Sequence, residues 1–306
     1  MSNKTFDLII LGAGPAGLTC SIYASRFKIN HLIIGKTLGG TITEAWKVEN
    51  YPGFKQISGV ELGQKFVEHA QSYGLQIIES EILKVVKKEK NFEISTLDNK
   101  SYPAKTLFLG LGTKVRRLEI PGEQEFLGKG VSYCATCDAP LFRNKDVIVA
   151  GGGNSAVTAA LHLSEFANKV YLVNRGEKLS AEPIWQEKVL ANPKIETILN
   201  TNITQIQGKN FVEKCTLDNG KTLEVAGVFI EIGVMPAIDL IKNLGLELEQ
   251  GDLIKIKPDG STNIPGVWAG GDIASTMHGL EPRQVVTAIS EAAQAAISIF
   301  KFLRKS

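Results

Sequence analysis

Two thiols three positions apart, with a carboxyl directly after them, stand at Cys134-Ala135-Thr136-Cys137-Asp138. Cysteines at this spacing can close a small-ring disulfide, and a carboxyl beside them can give or take the proton when a thiolate attacks or leaves. A zinc site is a second use of such a pair, but it normally needs another Cys or His pair. Here Cys20 and Cys215 stand alone, and His31, His69, His162 and His278 are scattered without ligand spacing, so no metal ligand set is assigned. An inert buried pair is the third use and stays open beside the redox disulfide.

A second chemistry is written in glycine. Phe6-Asp7-Leu8-Ile9-Ile10-Leu11 runs into Gly12-Ala13-Gly14-Pro15-Ala16-Gly17, and Asp146-Val147-Ile148-Val149-Ala150 runs into Gly151-Gly152-Gly153-Asn154-Ser155-Ala156. In such a turn the early glycines let a pyrophosphate approach the backbone. The third small residue brings the following helix close to the strand, with its N-terminal N–H groups and positive dipole end toward the phosphates. One copy is a weak signal, equally met as a plain strand-to-helix turn. Two copies, each after a strand and before a helix, point to two nucleotide-binding units.

The elements that must hold these turns follow from the pattern. The first unit predicts a strand over Phe6–Leu11, a helix through Arg26 and a strand over 31–34. The second predicts a strand over Asp146–Ala150, a helix through about Phe166 and a strand over Lys169–Val173. Residues 77–86, 92–96 and 106–111 read as strands around Asp98-Asn99-Lys100, and 195–206, 211–217 and 222–232 form a similar group around Asp218-Asn219-Gly220. Each unit thus carries a small β accessory. Residues 291–303, rich in Ala and Ile, pattern as a helix closing the first unit, and candidate joints at 114–122 and 239–246 make the second unit an insertion.

Composition bounds the rest. A chain of 306 residues fits two domains of the usual ~100–200 residues. With 43% hydrophobic and 22% charged residues it folds rather than staying disordered. A net charge of +2 gives no basic field for nucleic acid or an anionic membrane surface. MSNKTFDLII enters a strand with no leader pattern, and no uninterrupted apolar run approaches the ~20 residues of a span, so the expected location is cytoplasmic. Four cysteines are too few for a disulfide scaffold.

Taken together, Leu11 to Gly17, Gly39-Gly40, Val48-Glu49-Asn50-Tyr51-Pro52-Gly53, Cys134 to Asp138, Gly151 to Ala156, Pro265-Gly266-Val267-Trp268-Ala269-Gly270-Gly271-Asp272 and Arg283-Gln284 resemble the low-molecular-weight thioredoxin reductases nearly end to end. The resemblance implies an α/β fold of two Rossmann-like nucleotide-binding domains, three-layer ββα type, the second inserted into the first. An FAD-binding domain would span 1–116 and 244–306, and an NAD(P)H-binding-like domain carrying the redox disulfide would span 117–243. It also implies a homodimeric, FAD-dependent thioredoxin-disulfide reductase whose partner is thioredoxin or a thioredoxin-like protein. Carried over residue by residue, Gly12, Gly14 and Gly17 bind the FAD pyrophosphate, with Pro15 and Ala16 in the same turn. Asn50 lies near the flavin, Asp272 after Gly271 holds the ribityl chain, and Arg283 and Gln284 stand beside the isoalloxazine. Gly35, Gly39, Gly40 and Gly112 complete the FAD set. Cys137 becomes the flavin-facing thiol, Cys134 the one that attacks the partner's disulfide, and Asp138 the acid-base group; Cys20 and Cys215 are packing residues.

The chain departs from that family at the second turn. NADPH-using members follow the strand with a basic run that grips the 2′-phosphate through fork-like hydrogen bonds. Here the run is Asn174-Arg175-Gly176-Glu177-Lys178-Leu179-Ser180, and Glu231-Ile232-Gly233-Val234-Met235-Pro236 departs likewise. An NADH site would instead prefer an acid at Asn174. Gly151, Gly153, Asn154, Ser155, Ala156 and Arg175 are therefore a candidate nicotinamide-nucleotide site, with NADPH, NADH and ferredoxin all open as donors. Two alternatives to a thioredoxin-directed enzyme are a flavin-binding redox sensor or interaction module, and a reductase of another disulfide carrier such as a peroxiredoxin.

Overall fold

The first glycine turn sits where the strand Phe6–Leu11, buried from Leu8 onward, meets a helix, and the reason is alternation. Leu8 and Ile10 join the cluster under the helices, while Ile9 and Leu11 join a second cluster on the opposite face. Successive side chains of a strand point to opposite faces, so four consecutive apolar residues, Leu8 to Leu11, must be covered on both. The structure, a computed structural model, describes residues 5–45, 47–75, 77–89, 91–238, 240–249, 252–275 and 284–305. Its contacts divide it into two units, Met1–Thr43 with Val48–Lys114 and Met235–Ser306, and Glu44–Lys47 with Val115–Val234. The second crossing thus falls at 234/235, not 243/244, because Ile238, Ile241 and Leu244 are buried in the first unit's core. The helices are α1 Pro15–Arg26, α2 Gly59–Gln71, α3 Ala135–Asp138, α4 Asn154–Ser164, α5 Pro183–Leu190 and α6 Val285–Leu303.

In the first unit a parallel sheet runs Ile77–Glu79, His31–Gly35, Phe6–Leu11, Ser101–Leu109, Val267–Ala269. Ser101–Leu109 does double duty. Its first half pairs antiparallel with Phe92–Thr96, which pairs with Ile82–Lys87, and its second half runs in the parallel sheet. Helices cover one face and this meander the other, which is the three-layer ββα arrangement. The second unit repeats the plan. A parallel sheet runs Ile195–Ile198, Lys169–Val173, Asp146–Ala150, Gly227–Ile230, Val131–Ser132. The antiparallel strands Ile203–Gly208, Val212–Leu217 and Thr222–Glu224 form the accessory.

Three predicted strands divide. Residues 77–86 break at Ser80 and Glu81, so that Ile77–Glu79 ends the parallel sheet and Ile82–Lys87 begins the meander. Residues 195–206 break where Asn200 takes φ 51°, and 222–232 split into a meander strand and the sheet strand Gly227–Ile230. Apolar alternation runs through such breaks without marking them. Helices α2 and α5 are additions, the first capped by Ser58 Oγ accepting the Glu61 N–H at 3.2 Å. Helix α6 starts at Val285, ahead of the expected 291, because Gln284 and Thr287 form a reciprocal cap. At 19 residues and mean hydropathy 1.3 it is long and apolar enough to cross a membrane by length and composition, though Glu291, Gln294 and Lys301 interrupt its apolar run. Its Ala288, Ala292, Ala295, Ala296 and Ile299 are buried with Leu18, Cys20 and Ile22 of α1, so it serves the core of the first unit.

Candidate active site

The first glycine turn is built by mutual exclusion. A Cβ on Gly17 would fall 1.9 Å from the Gly12 carbonyl oxygen, and one on Gly12, at φ +108°, would fall 2.1 Å from that of Gly110. Pro15 at N1 presets the first helical φ of α1, and Gly14 is its N-cap. Gly35 and Gly40 close in from the side, since Cβ atoms there would lie 2.6 Å from the Ala13 nitrogen and 2.7 Å from the Gly14 Cα. The Gly39 N–H donates to the Ala13 carbonyl at 2.9 Å. Gly14 itself is different: its Cβ would meet no protein atom nearer than 3.6 Å. Packing does not demand glycine there, and no side chain caps the N–H groups of the first turn of α1, which leaves them a ready anion cradle.

The other residues named for this site lie in the same unit. Gly271, at φ +76°, follows the strand Val267–Ala269, and its Cβ would sit 3.1 Å from that of Ala16. Asp272 comes next, half-buried. Asn50 Nδ2 donates to Gln284 Oε1 at 2.7 Å, joining two named residues 234 positions apart. Gly112 takes φ +63° with open space around it. Arg283 lies outside the described residues.

Cys134 and Cys137 are joined as a disulfide, with Cα atoms 5.3 Å apart. Cys134 is the N-cap of α3, and its Sγ accepts the Cys137 N–H at 3.2 Å. Ser132 Oγ holds the Cys134 backbone, accepting its N–H at 3.0 Å and donating to its carbonyl at 3.3 Å. Thr136, between the cysteines, donates through Oγ1 to the Glu44 carbonyl, in the stretch Glu44–Lys47 that groups with the second unit. Cys137 is exposed, Cys134 and Asp138 half-buried. Burial pushes the Cys20 thiol far up and the Cys215 thiol to about 12, so neither forms a thiolate near neutrality.

The second glycine turn is intact but covered. Gly151 is at φ +137°, with a Cβ position 2.2 Å from the Glu231 carbonyl oxygen, and Gly153 caps α4. The Gly152 carbonyl accepts the Ser180 N–H at 2.8 Å and the Ala181 N–H at 3.2 Å. Asn154 Oδ1 accepts the Glu182 N–H at 2.8 Å, and its Nδ2 donates to Glu182 Oε1 at 3.2 Å. Asn174, at the strand end, turns its amide into its own loop, donating to the Lys178 carbonyl at 2.9 Å. Ser155 and the buried Ala156 form the first turn of α4, and Arg175 is exposed.

Several groups escaped the sequence reading. Buried Glu123 accepts Leu118 N–H, Glu119 N–H and the hydroxyl of Tyr133, the residue before Cys134. Burial, then the bond to Glu123, pushes the Tyr133 hydroxyl to about 12. Burial and the neighbouring Glu44 raise the Glu231 carboxyl to about 8. In α6, Glu291 accepts the Gly271 N–H at 2.7 Å. Its signal was legible: it lies on the helix face of Ala288 and Ala295, three and four positions away.

Comparison with known proteins gives this geometry its class. The family described as pyridine nucleotide-disulphide oxidoreductase matches residues 6–292. The chain is 36% identical over 309 residues to the thioredoxin reductase of Bacillus subtilis, covering 99% of this chain and 96% of that one. Among solved structures, Lactococcus lactis thioredoxin reductase in its FR conformation is similar at TM-score 0.92 and 32% identity, covering 99% of this chain and all of that one. A ferredoxin-flavin thioredoxin reductase from Clostridium acetobutylicum is similar at TM-score 0.55 and 32% identity, with 99% of both chains covered. The chain belongs to the pyridine nucleotide-disulphide oxidoreductases and, within them, to the low-molecular-weight thioredoxin reductases. It is an oxidoreductase of flavoprotein type with FAD as cofactor. The glycine turn at the N-terminus of α1, where no side chain caps the first N–H groups, fits the cofactor's pyrophosphate.

Proposed function

We propose that this chain reduces the disulfide of thioredoxin or a thioredoxin-like protein through Cys134 and Cys137. The observation that carries the reading is the formed disulfide at the start of α3, one thiol exposed, with Asp138 directly after it. Gly12, Gly14 and Gly17, with Pro15 and Ala16, would hold the FAD pyrophosphate, walled by Gly35, Gly39 and Gly40. Gly112, Gly271, Asp272, Gln284 and Asn50 would line the rest, and Arg283 joins them on the sequence resemblance. Bound FAD supplies the electron pair that, with two protons, opens the disulfide to a dithiol.

The remaining steps belong to the chain. Cys134, as thiolate, attacks one sulfur of the partner's disulfide, and the partner's other sulfur leaves as a thiolate and takes a proton. Cys137, as thiolate, then attacks Cys134 Sγ in the mixed disulfide. The Cys134–Cys137 bond re-forms, and the second partner thiol is released with the second proton. Asp138 takes the proton from the attacking thiol and returns it to the leaving one. A homodimer in the cytoplasm is part of the same proposal, on the family resemblance.

For the donor, the intact turn Gly151–Gly153 and Arg175 support NADPH or NADH, the donor binding over Asn154, Ser155 and Ala156. One observation favours a second reading, a protein donor such as ferredoxin: the Asn174 amide is engaged by its own loop, and no fork-like pair stands beside it. Anaerobic stopped-flow absorbance of the FAD-loaded protein against NADPH, NADH and reduced ferredoxin decides between them. Fast flavin bleaching by a nicotinamide donor selects the first reading, and bleaching by ferredoxin alone selects the second. Slow bleaching by all three, or thioredoxin reduction unchanged in Cys137→Ser, would overturn the reductase.

A further inference from the structure

A carboxyl group in the middle of an alanine face is out of place unless it has work there. Helix α6 is buried along Ala288, Ala292, Ala295 and Ala296, and Glu291 shares that side. Its Oε2 accepts the Gly271 N–H at 2.7 Å. The turn it holds is tight on every side. A Cβ on Gly270 would lie 3.2 Å from the Phe108 ring and 3.3 Å from the Glu291 Cβ, and one on Gly271 3.1 Å from Ala16 and 3.5 Å from Ala288. Gly271 adopts φ +76°, and its carbonyl accepts the Ala274 N–H at 2.8 Å. One side chain on α6 therefore fixes the backbone turn that carries Asp272, against the first residues of α1 behind the glycine cradle.

We propose that Glu291 is a positioning residue of the flavin site, holding the Gly270–Gly271 turn that presents Asp272 to the cofactor, and that FAD uptake is coupled to a proton on Glu291. This rests on the reading above that Gly271 and Asp272 line that site. Burial raises the Glu291 carboxyl to about 7, the Gly271 N–H acting against it and Asp272 adding to it. Among the described residues, Asp272 is the charged group that acts on Glu291. Helix α1, packed along α6, carries Cys20, Tyr23 and Arg26, and the strand Val267–Ala269 carries no titratable group. Lys301 lies at the far end of α6, and Asp259 accepts Ser298 Oγ about two helical turns along. The FAD diphosphate is a further negative charge, and like charges disfavour ionisation. Bound cofactor therefore favours the protonated form, and raising pH through about 7 weakens binding.

The test is flavin-fluorescence titration of FAD into the full-length apoprotein between pH 6 and 8.5, with Glu291→Gln, Glu291→Ala and Asp272→Asn beside the native chain. The native Kd rises about fivefold to tenfold across the range, tenfold being one unit of pKa change on binding. Glu291→Gln, whose amide oxygen still accepts the Gly271 N–H, holds the native low-pH Kd at every pH. Glu291→Ala binds more weakly throughout. A second readout needs no cofactor: above pH 7 the melting temperature of Glu291→Gln apoprotein exceeds the native one. A pH slope in Glu291→Gln equal to the native slope overturns the proton coupling, and unchanged affinity in Glu291→Ala overturns the positioning role. If Asp272→Asn leaves Kd unaltered, the assignment of Gly271 and Asp272 to the flavin site is what fails.

Discussion

At the residue scale, glycine and buried carboxylates carry most of the information. Two glycines of the first turn are glycine for different reasons. Gly17 is forced by the Gly12 carbonyl, whereas a Cβ on Gly14 would meet only ordinary contacts, the nearest at 3.6 Å from the Gly40 Cα. The motif names both, and the sequence cannot tell packing from binding. Glu231 is a carboxylate no motif flags, raised from the ordinary 4.5 to about 8 by burial and Glu44. A raised folded pKa means that its contribution to stability is complete below about 4.5 and is lost as pH climbs to about 8. We expect Glu231→Gln to remove that loss. Its urea midpoint should exceed the native one at pH 8.5 and approach it near pH 5. An equal gap at both pH values would mean that ionisation of Glu231 does not act on stability.

At the element scale, pattern located what was continuous and missed what was interrupted. The two strand-turn-helix units were legible because each joins a period-2 apolar run, a glycine cluster and a helical stretch within one short span. The strands over 77–86, 195–206 and 222–232 were drawn too long. Their breaks change the partner strand without changing the apolar pattern, so parallel and meander segments merged. Helix α6 owes its fit to small residues that let it approach α1 closely. Ala292 is fully buried there. Ala292→Leu should cost about 1–3 kcal/mol by overpacking, read as a lower urea midpoint, while Gln294→Leu on the exposed side should change it little. Equal effects at the two positions would contradict the close packing.

At the scale of the whole molecule, one layered plan is used twice, and the two copies differ in what surrounds their glycine turns. The cap glycines are alike, with Cβ positions no nearer than 3.6 Å to other atoms at Gly14 and 3.8 Å at Gly153, but in the second turn the Gly152 carbonyl is bonded by Ser180 and Ala181 of the loop after Val173. With Gly12 to Gly17, Asn50, Asp272 and Gln284 all in the first unit, FAD is expected to act there. Added at about 100 times its Kd, it should stabilise that unit by about 2.7 kcal/mol. Hydrogen exchange should show slower opening at Leu8 to Leu11 and unchanged exchange at Leu172 and Val173. Equal protection in both units would show that the cofactor's effect is not confined to the first.

The sequence by itself determined the two nucleotide-type units, their insertion order, the cysteine pair and its carboxyl neighbour, because each is a local pattern whose chemistry depends on spacing along the chain. It also named Asn50 and Gln284 separately. Only the tertiary structure joined them across 234 positions, turned the Glu123 carboxylate onto Tyr133 beside Cys134, and set Glu291 under Gly271. It also decided that the Asn174 amide faces its own loop. The physical reason is the same in each case. A polar group's role is set by which hydrogen-bond partner it meets once buried, and that partner is chosen by packing between elements distant in sequence.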